Sequence, residues 1–321
     1  AMKYRQLGQS DLQVSQICFG CWQLSPRFWG DVPLKPWKEA LHAALDAGVN
    51  FIDTADAYGD GYAETSLGDW FQQEHKRDNF ILATKFYWNF YEGERYPETT
   101  YDYILRACDQ SLKRLKTDYI DLYQIHAYDP LTQPDVVAAA LSRLKKEGKI
   151  RWVGVSNMNP EQMRMYQRFM TLTTLQPRYN LVSREVEQQE LPFCQANGIG
   201  VIPYSSLHKG LLTGKYSAEH TFQDFRKADP LFNGPGRAAI NNGLNQIRTI
   251  ASDLGLSVIE LVVRWVITHP AITSAIIGIK EPDHITGVVN AATEFLPIGL
   301  WHQIGSIMDK AKHEAMEAQH S

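Results

Sequence analysis

The stretch Pro36-Trp-Lys-Glu-Ala-Leu-His-Ala-Ala-Leu-Asp-Ala-Gly48-Val-Asn50-Phe-Ile-Asp53 holds one complete helix-to-strand unit. Over Pro36–Ala47, Trp37, Leu41, Ala44 and Leu45 fall on one helical face, and Gly48 is free to take the left-handed conformation that ends a helix. Asn50–Asp53 then reads as a short strand that stops on an acid. Working outward, the same alternation recurs along the chain, with strands expected over Gln16–Gly20, Phe80–Thr84, Tyr119–Ile125, Trp152–Val155, Thr173–Gln176, Gly200–Pro203 and Ser274–Gly278. Helical spacing fills the gaps. The helix after Asp53 reads as short, whereas Tyr101, Ile104, Leu105, Cys108, Leu112 and Leu115 keep a long period, as do Val137, Leu141 and Leu144. Asn159-Pro160 supplies a cap and a first-turn proline, and Ser257 with Glu260 forms a capping box.

Strands that alternate with helices pair in parallel. Eight such units without a linker predict an α/β fold, a closed (β/α)8 TIM barrel over residues 1–321 as a single domain, in preference to an open doubly wound sheet. Two additions flank it: an N-terminal hairpin through Tyr4–Val14, and a long loop from Ser205 to about Arg237 on the side where a barrel places its active site.

Composition narrows the partners. The 321 residues are 44% hydrophobic and 21% charged, proportions of a globular protein, and 32 Lys+Arg against 36 Asp+Glu leave a net charge of -4. That balance argues against a protein that grips nucleic acid phosphates. No run of apolar residues reaches the roughly 18 needed to span a membrane, and no basic-then-apolar leader opens the chain, so a cytoplasmic location is expected. Cys18 and Cys21 are the only close pair of four cysteines; without a second pair they read as reduced, apolar thiols.

Where each apolar run stops is the informative feature. Phe51-Ile52 ends at Asp53, Ile81-Leu-Ala-Thr84 at Lys85, and Leu122-Tyr-Gln-Ile125 at His126; Val155 leads into Ser156-Asn157, Leu175 into Gln176, and Pro203 into Tyr204. In a parallel barrel these ends converge on one rim, so an acid, a lysine and a histidine become neighbours. Asp53 would keep a partly buried Lys85 charged. Tyr58, five residues past Asp53 in a turn-forming stretch, would lie over the same rim, and a nearby ammonium is expected to draw its pKa down from roughly 10 and make it a proton donor. No metal is expected, since His126 has no partner at ligand spacing, and neither glycine-rich phosphate motif is present.

These residues resemble the aldo-keto reductase superfamily over essentially the whole chain. Asn50-Phe-Ile-Asp-Thr-Ala-Asp-Ala-Tyr-Gly59, with Lys85 and His126, looks like the family's Asp, Tyr, Lys and His tetrad. Ser156, Asn157 and Gln176 are similar to the positions that hold a nicotinamide carboxamide, and Tyr204 to the ring stacked on the nicotinamide. Ser205, Leu207, Gly210 and Lys215 fall in what looks like the loop covering the pyrophosphate, and Gly278, Lys280 and His284 in the adenosine-phosphate stretch. Two departures stand out: Ser205-Ser206-Leu207 replaces a frequent Ser-Pro-Leu, and Gly278–His284 keeps the family's pattern in character only. The resemblance implies NADP(H)-dependent reduction of a small-molecule carbonyl, with Tyr58 protonating the oxygen and His126 orienting the substrate. The alternative it carries is a slow, cofactor-binding regulatory subunit on the same fold. Aromatics crowd the rim, with Trp22 after the first strand and Phe86, Tyr87, Trp88, Phe90 and Tyr91 after Lys85; of these Trp22, Tyr87 and Trp88 are expected to line a substrate mouth that favours aromatic aldehydes. The sequence assigns no oligomeric state.

Overall fold

The computed structural model describes residues 1–320. In chain order the strands are β1 Tyr4–Gln6, β2 Gln13–Ser15, β3 Ile17–Gly20, β4 Phe51–Asp53, β5 Ile81–Phe86, β6 Trp88–Asn89, β7 Tyr96–Pro97, β8 Ile120–Ile125, β9 Ile150–Ser156, β10 Thr174–Gln176, β11 Gly200–Val201 and β12 Ala275–Gly278. The helices are α1 Pro26–Trp29, α2 Leu34–Asp46, α3 Tyr62–Glu74, α4 Tyr101–Leu115, α5 Pro134–Lys146, α6 Pro160–Gln167, α7 Glu190–Asn197, α8 Gly234–Asp253, α9 Val258–Thr268, α10 Pro282–Thr286 and α11 Ile298–Glu317.

Among the described residues, eight strands form one parallel sheet in the order β11-β10-β9-β8-β5-β4-β3-β12. The expected closed ladder is corrected at its seam. β11 and β12 share no ladder; the chain around them meets through a single parallel bridge, from Val201 to Ile272 just before β12, and through bonds from Thr273 N to Val201 O (2.8 Å) and from Ile276 N to Pro203 O just after β11 (3.0 Å). Pro203 has no N–H to give, which ends β11 after two residues and leaves the sheet drawn round until its edges meet.

Side-chain alternation sorts the strands. Cys18, Phe51, Ala83, Leu122, Ile202 and Ile276 point into the barrel and pack with Leu7, Leu12 and Val14, so the β1–β2 hairpin, registered Tyr4 to Ser15, plugs one end. The intervening residues, such as Phe19, Ile52, Leu82 and Tyr123, face the helices. The expected Asn159 cap and Ser257 capping box both form: the Asn159 side chain accepts from Gln162 N at 2.8 Å, and Ser257 Oγ accepts from Glu260 N at 3.1 Å. Helix α3, expected to be short, spans 13 residues. Its period is masked by Gly68, where a Cβ would lie 2.0 Å from Arg114 O; the bare glycine lets α3 close on the end of α4. No helix among the described residues is long and apolar enough to cross a membrane.

Candidate active site

One further step of alternation beyond the apolar layer turns the barrel interior polar. Phe51 is followed on the inner face by Asp53, Ala83 by Lys85 and Leu122 by Gln124, and the register pairs Lys85 with Gln124 and Gln176 with Ser156. Asp53, Lys85, Gln124 and Gln176 are all buried in this layer. Above it lies a cavity of about 820 Å³, lined by Asp53, Tyr58 and His126 of the expected tetrad.

Lys85 stands beneath Tyr58. Its Nζ donates to Asp53 Oδ2 at 2.7 Å, to Thr54 O at 2.9 Å and to the Tyr58 hydroxyl at 3.1 Å, which uses all three ammonium hydrogens. Because the Tyr58 oxygen accepts from Lys85, its own hydrogen is left for the cavity. Burial works against the Lys85 charge, but Asp53 and Tyr58 more than offset it and hold the lysine above its ordinary pKa. For Tyr58 the balance differs from the sequence expectation: burial dominates and pushes the phenol up to about 12, with Lys85 pulling it down and Asp53 pushing it up. The lysine moderates the shift without reversing it. Tyr58 is therefore a protonated acid across the neutral range.

His126 packs edge-on to Tyr58 with ring centroids 6.2 Å apart. Burial, then the Lys85 and Arg95 charges, lower its pKa to about 3, so the ring is neutral. Its Nδ1 has no partner among the described residues. Arg95 was not read from the sequence. From the turn between β6 and β7 it donates to Ala57 O at 3.3 Å and Asp60 Oδ1 at 2.6 Å, fastening that turn to the Tyr58 loop.

The other expected residues divide cleanly. Ser156, Asn157, Gln176, Tyr204, Ser205, Leu207, Gly210, Lys215, Gly278, Lys280 and His284 line the same cavity, as do Trp22 and Trp88. Tyr87 is absent from the lining; its hydroxyl reaches Tyr128 O at 3.4 Å, on the protein side. Phe86 packs on Tyr123 and Phe90 on Tyr91, so of the run after Lys85 only Trp88 reaches the cavity.

Two amides in the wall are turned opposite ways. The Tyr204 hydroxyl donates to Asn157 Oδ1 at 2.7 Å, leaving that side chain's N–H2 to give, while Gln176 spends its N–H2 on Asp53 and Gln124 and keeps its oxygen to accept. Further along, Lys209, Lys215, Arg226 and Lys280 give the cavity a cationic limb. Lys280 forms no salt bridge among the described residues, lies 4.6 Å from the Trp29 ring centre, and is held below its usual pKa by burial and then by Arg226. Gln23 Oε1, Ser25 Oγ and Ser206 Oγ in the lining are buried without partners among the described residues. Rings gather at the cavity wall: Trp22 and, from α1, Phe28 and Trp29 meet Phe225 of the long loop at 5.7, 5.6 and 5.4 Å. Trp29, Phe28 and Phe225 carried no period or motif that could single them out.

Comparison with known proteins agrees with this geometry. Residues 16–308 match the model of the aldo/keto reductase family. Aldo-keto reductase YhdN of Bacillus subtilis is 39% identical over 287 residues, covering 88% of this chain and 87% of that protein. A probable voltage-gated potassium channel subunit beta of Oryza sativa is 31% identical, covering 88% and 89%. Among solved structures, the glycerol dehydrogenase AKR11B4 of Gluconobacter oxydans superposes with a TM-score of 0.88 at 31% identity, with 96% of each chain covered. The holo form of AKR11C1 from Bacillus halodurans gives 0.80 at 27% identity, again over 96% of each chain. The chain belongs to the aldo/keto reductase family of oxidoreductases.

Proposed function

We propose that the protein reduces aldehyde or ketone carbonyls to alcohols with NADPH, using Tyr58 as the proton donor. The observation that carries this reading is the saturated Lys85 ammonium, which anchors the Tyr58 oxygen and leaves the phenol hydrogen facing the cavity. When bound, the reduced nicotinamide supplies the hydride. Tyr58 gives its proton to the carbonyl oxygen, and Lys85, 3.1 Å away, stabilises the phenolate as it forms. Neutral His126 offers an N–H to orient that oxygen without competing as an acid. The cavity wall supports the cofactor assignment: an accepting Gln176 and a donating Asn157 complement a carboxamide, while Lys209, Arg226 and Lys280, with the unpartnered Gln23, Ser25 and Ser206, suit phosphates and sugar hydroxyls. An anion between Lys280 and Arg226 relieves their mutual repulsion, which favours a phosphorylated ribose and hence NADPH over NADH.

Trp22 and Trp88 are the apolar walls at the substrate end, now without Tyr87. A ring buried between them gains about 3 kcal/mol before ordering costs. The similarity to a channel beta subunit favours one second reading, a slow binding subunit on the same fold. Absorbance of NADPH followed with benzaldehyde-type aldehydes, glyceraldehyde and aldoses decides between them. Steady consumption, fastest with the aromatic aldehydes, is expected; binding of NADPH without turnover of any carbonyl supports the second reading.

A further inference from the structure

Gln124 lies outside the tetrad and outside the cavity lining, yet it joins the two halves of the site. Its Nε2 donates to Asp53 Oδ1 at 3.0 Å and to Thr84 O at 3.4 Å. Its Oε1 accepts from Gln176 Nε2 at 2.8 Å, and the same Gln176 nitrogen donates to Asp53 Oδ1 at 3.0 Å. All three side chains are buried.

Donor and acceptor chemistry leaves one arrangement. A carboxylate and a main-chain carbonyl only accept, so the Gln124 N–H2 must face Asp53 and Thr84, and its oxygen must face Gln176. Gln176 then has both amide hydrogens committed, one to Asp53 and one to Gln124. Rotating the Gln176 amide by half a turn would set its oxygen against two acceptors, each a buried lone-pair contact with nothing to relieve it. The oxygen left to Gln176 is thus an acceptor without a donor from this network, in a residue that lines the cavity.

We propose that Gln124 is a positioning residue that locks Gln176 as a pure acceptor for the N–H2 of the nicotinamide carboxamide, and so couples the Asp53–Lys85–Tyr58 cluster to the hydride-donating end of the cofactor. This rests on the cofactor reading above. Without Gln124, Gln176 has one hydrogen uncommitted and loses one of the two contacts that penalise rotation. Discrimination at the carboxamide falls, while the adenosine end, held by the cationic limb, is untouched.

The test measures dissociation constants for three probes by quenching of protein fluorescence: NADP+, its 3-acetylpyridine analogue, which keeps the carbonyl but has no N–H2, and 2′,5′-ADP, which lacks the nicotinamide. Wild type should prefer NADP+ over the analogue by about tenfold, the worth of one hydrogen bond. Gln124→Met should bring that ratio down towards one and leave 2′,5′-ADP unchanged. Gln124→Glu, of nearly the same shape, keeps an acceptor facing the Gln176 N–H2 and should therefore retain the wild-type preference for NADP+. An unaltered ratio in Gln124→Met, or an equal loss in Gln124→Glu, overturns the proposal, and so does a parallel loss for 2′,5′-ADP, which would mark general damage. Wild type that binds none of the three overturns the cofactor reading and the proposal with it.

Discussion

At the scale of single residues the site depends on which charges are compensated. Lys85 and Asp53 are mutually satisfied at 2.7 Å with side chains 1% and 2% exposed, so removing one partner strands the other. Lys85→Met should lower stability by roughly 3 to 5 kcal/mol in a urea titration, the usual cost of an orphaned buried charge. It should also reduce turnover, because Tyr58 loses the one influence that pulls its pKa down; full activity in a folded Lys85→Met protein would remove the lysine from the chemistry. Asp56 presents the opposite case. It is fully buried, no side chain among the described residues donates to either carboxylate oxygen, and burial followed by the nearby Glu64 raises its pKa well above the ordinary value, against a smaller downward pull from Arg114 and the Ala57 N–H. The folded state thus holds a proton that the unfolded chain releases near pH 4, so this group's contribution to stability is present below that pH and is lost as pH rises through the folded pKa. Asp56→Asn should therefore raise the melting temperature at pH 8 more than at pH 5, checked by thermal melts at both; an equal change at the two pH values would mean that Asp56 is not held protonated.

At the scale of elements, loops do what the strands leave undone. Residues 205–237 read from sequence as one long loop and prove to hold short 3-10 turns up to Phe232 and then, from Gly234, the first turn of α8, whose buried Arg237 ties the span down by donating to the carbonyls of Ala218, His220 and Phe232. Arg226 fastens the same loop through Asp224 at 2.6 Å and Lys209 O at 3.1 Å, and lies 4.9 Å from the Trp29 ring centre. Phe225 contacts three rings of the opposite loop, each worth about 0.5 to 1.5 kcal/mol. Phe225→Ala should speed release of NADPH by roughly tenfold in stopped-flow fluorescence while leaving the chemical step in single-turnover experiments unchanged. Unaltered release would show that the ring cluster is packing and not a latch. These contacts were illegible in the sequence because they join loops without period. The strands and caps were legible because hydrophobic spacing and the Asn159 and Ser257 signatures act locally.

At the scale of the whole molecule, what was read correctly followed from topology. Parallel strands made the ends at Asp53, Lys85, His126, Ser156, Gln176 and Tyr204 neighbours, and the structure places five of them on one cavity with Lys85 directly below. Gln124 escaped because its run was read as apolar up to His126; strict alternation from Leu122 would have put it on the inner face. The direction of the Tyr58 shift also escaped, since burial depends on every element around the ring and not on the one ammonium its spacing reveals. The seam between β11 and β12 needed the position of Pro203 against β12, a relation that only closure of the fold creates. The proposed reaction depends on that closure, because Tyr58, Lys85 and His126, to which it gives the roles of donor, charge partner and orienting group, come from three separate strand ends. Replacing Tyr58 by Phe removes only the hydroxyl at their meeting point. Comparing NADPH affinity with carbonyl turnover in wild type and Tyr58→Phe, the account predicts unchanged affinity and a loss of about 100-fold or more in kcat; a variant that binds NADPH and turns over near the wild-type rate would contradict it.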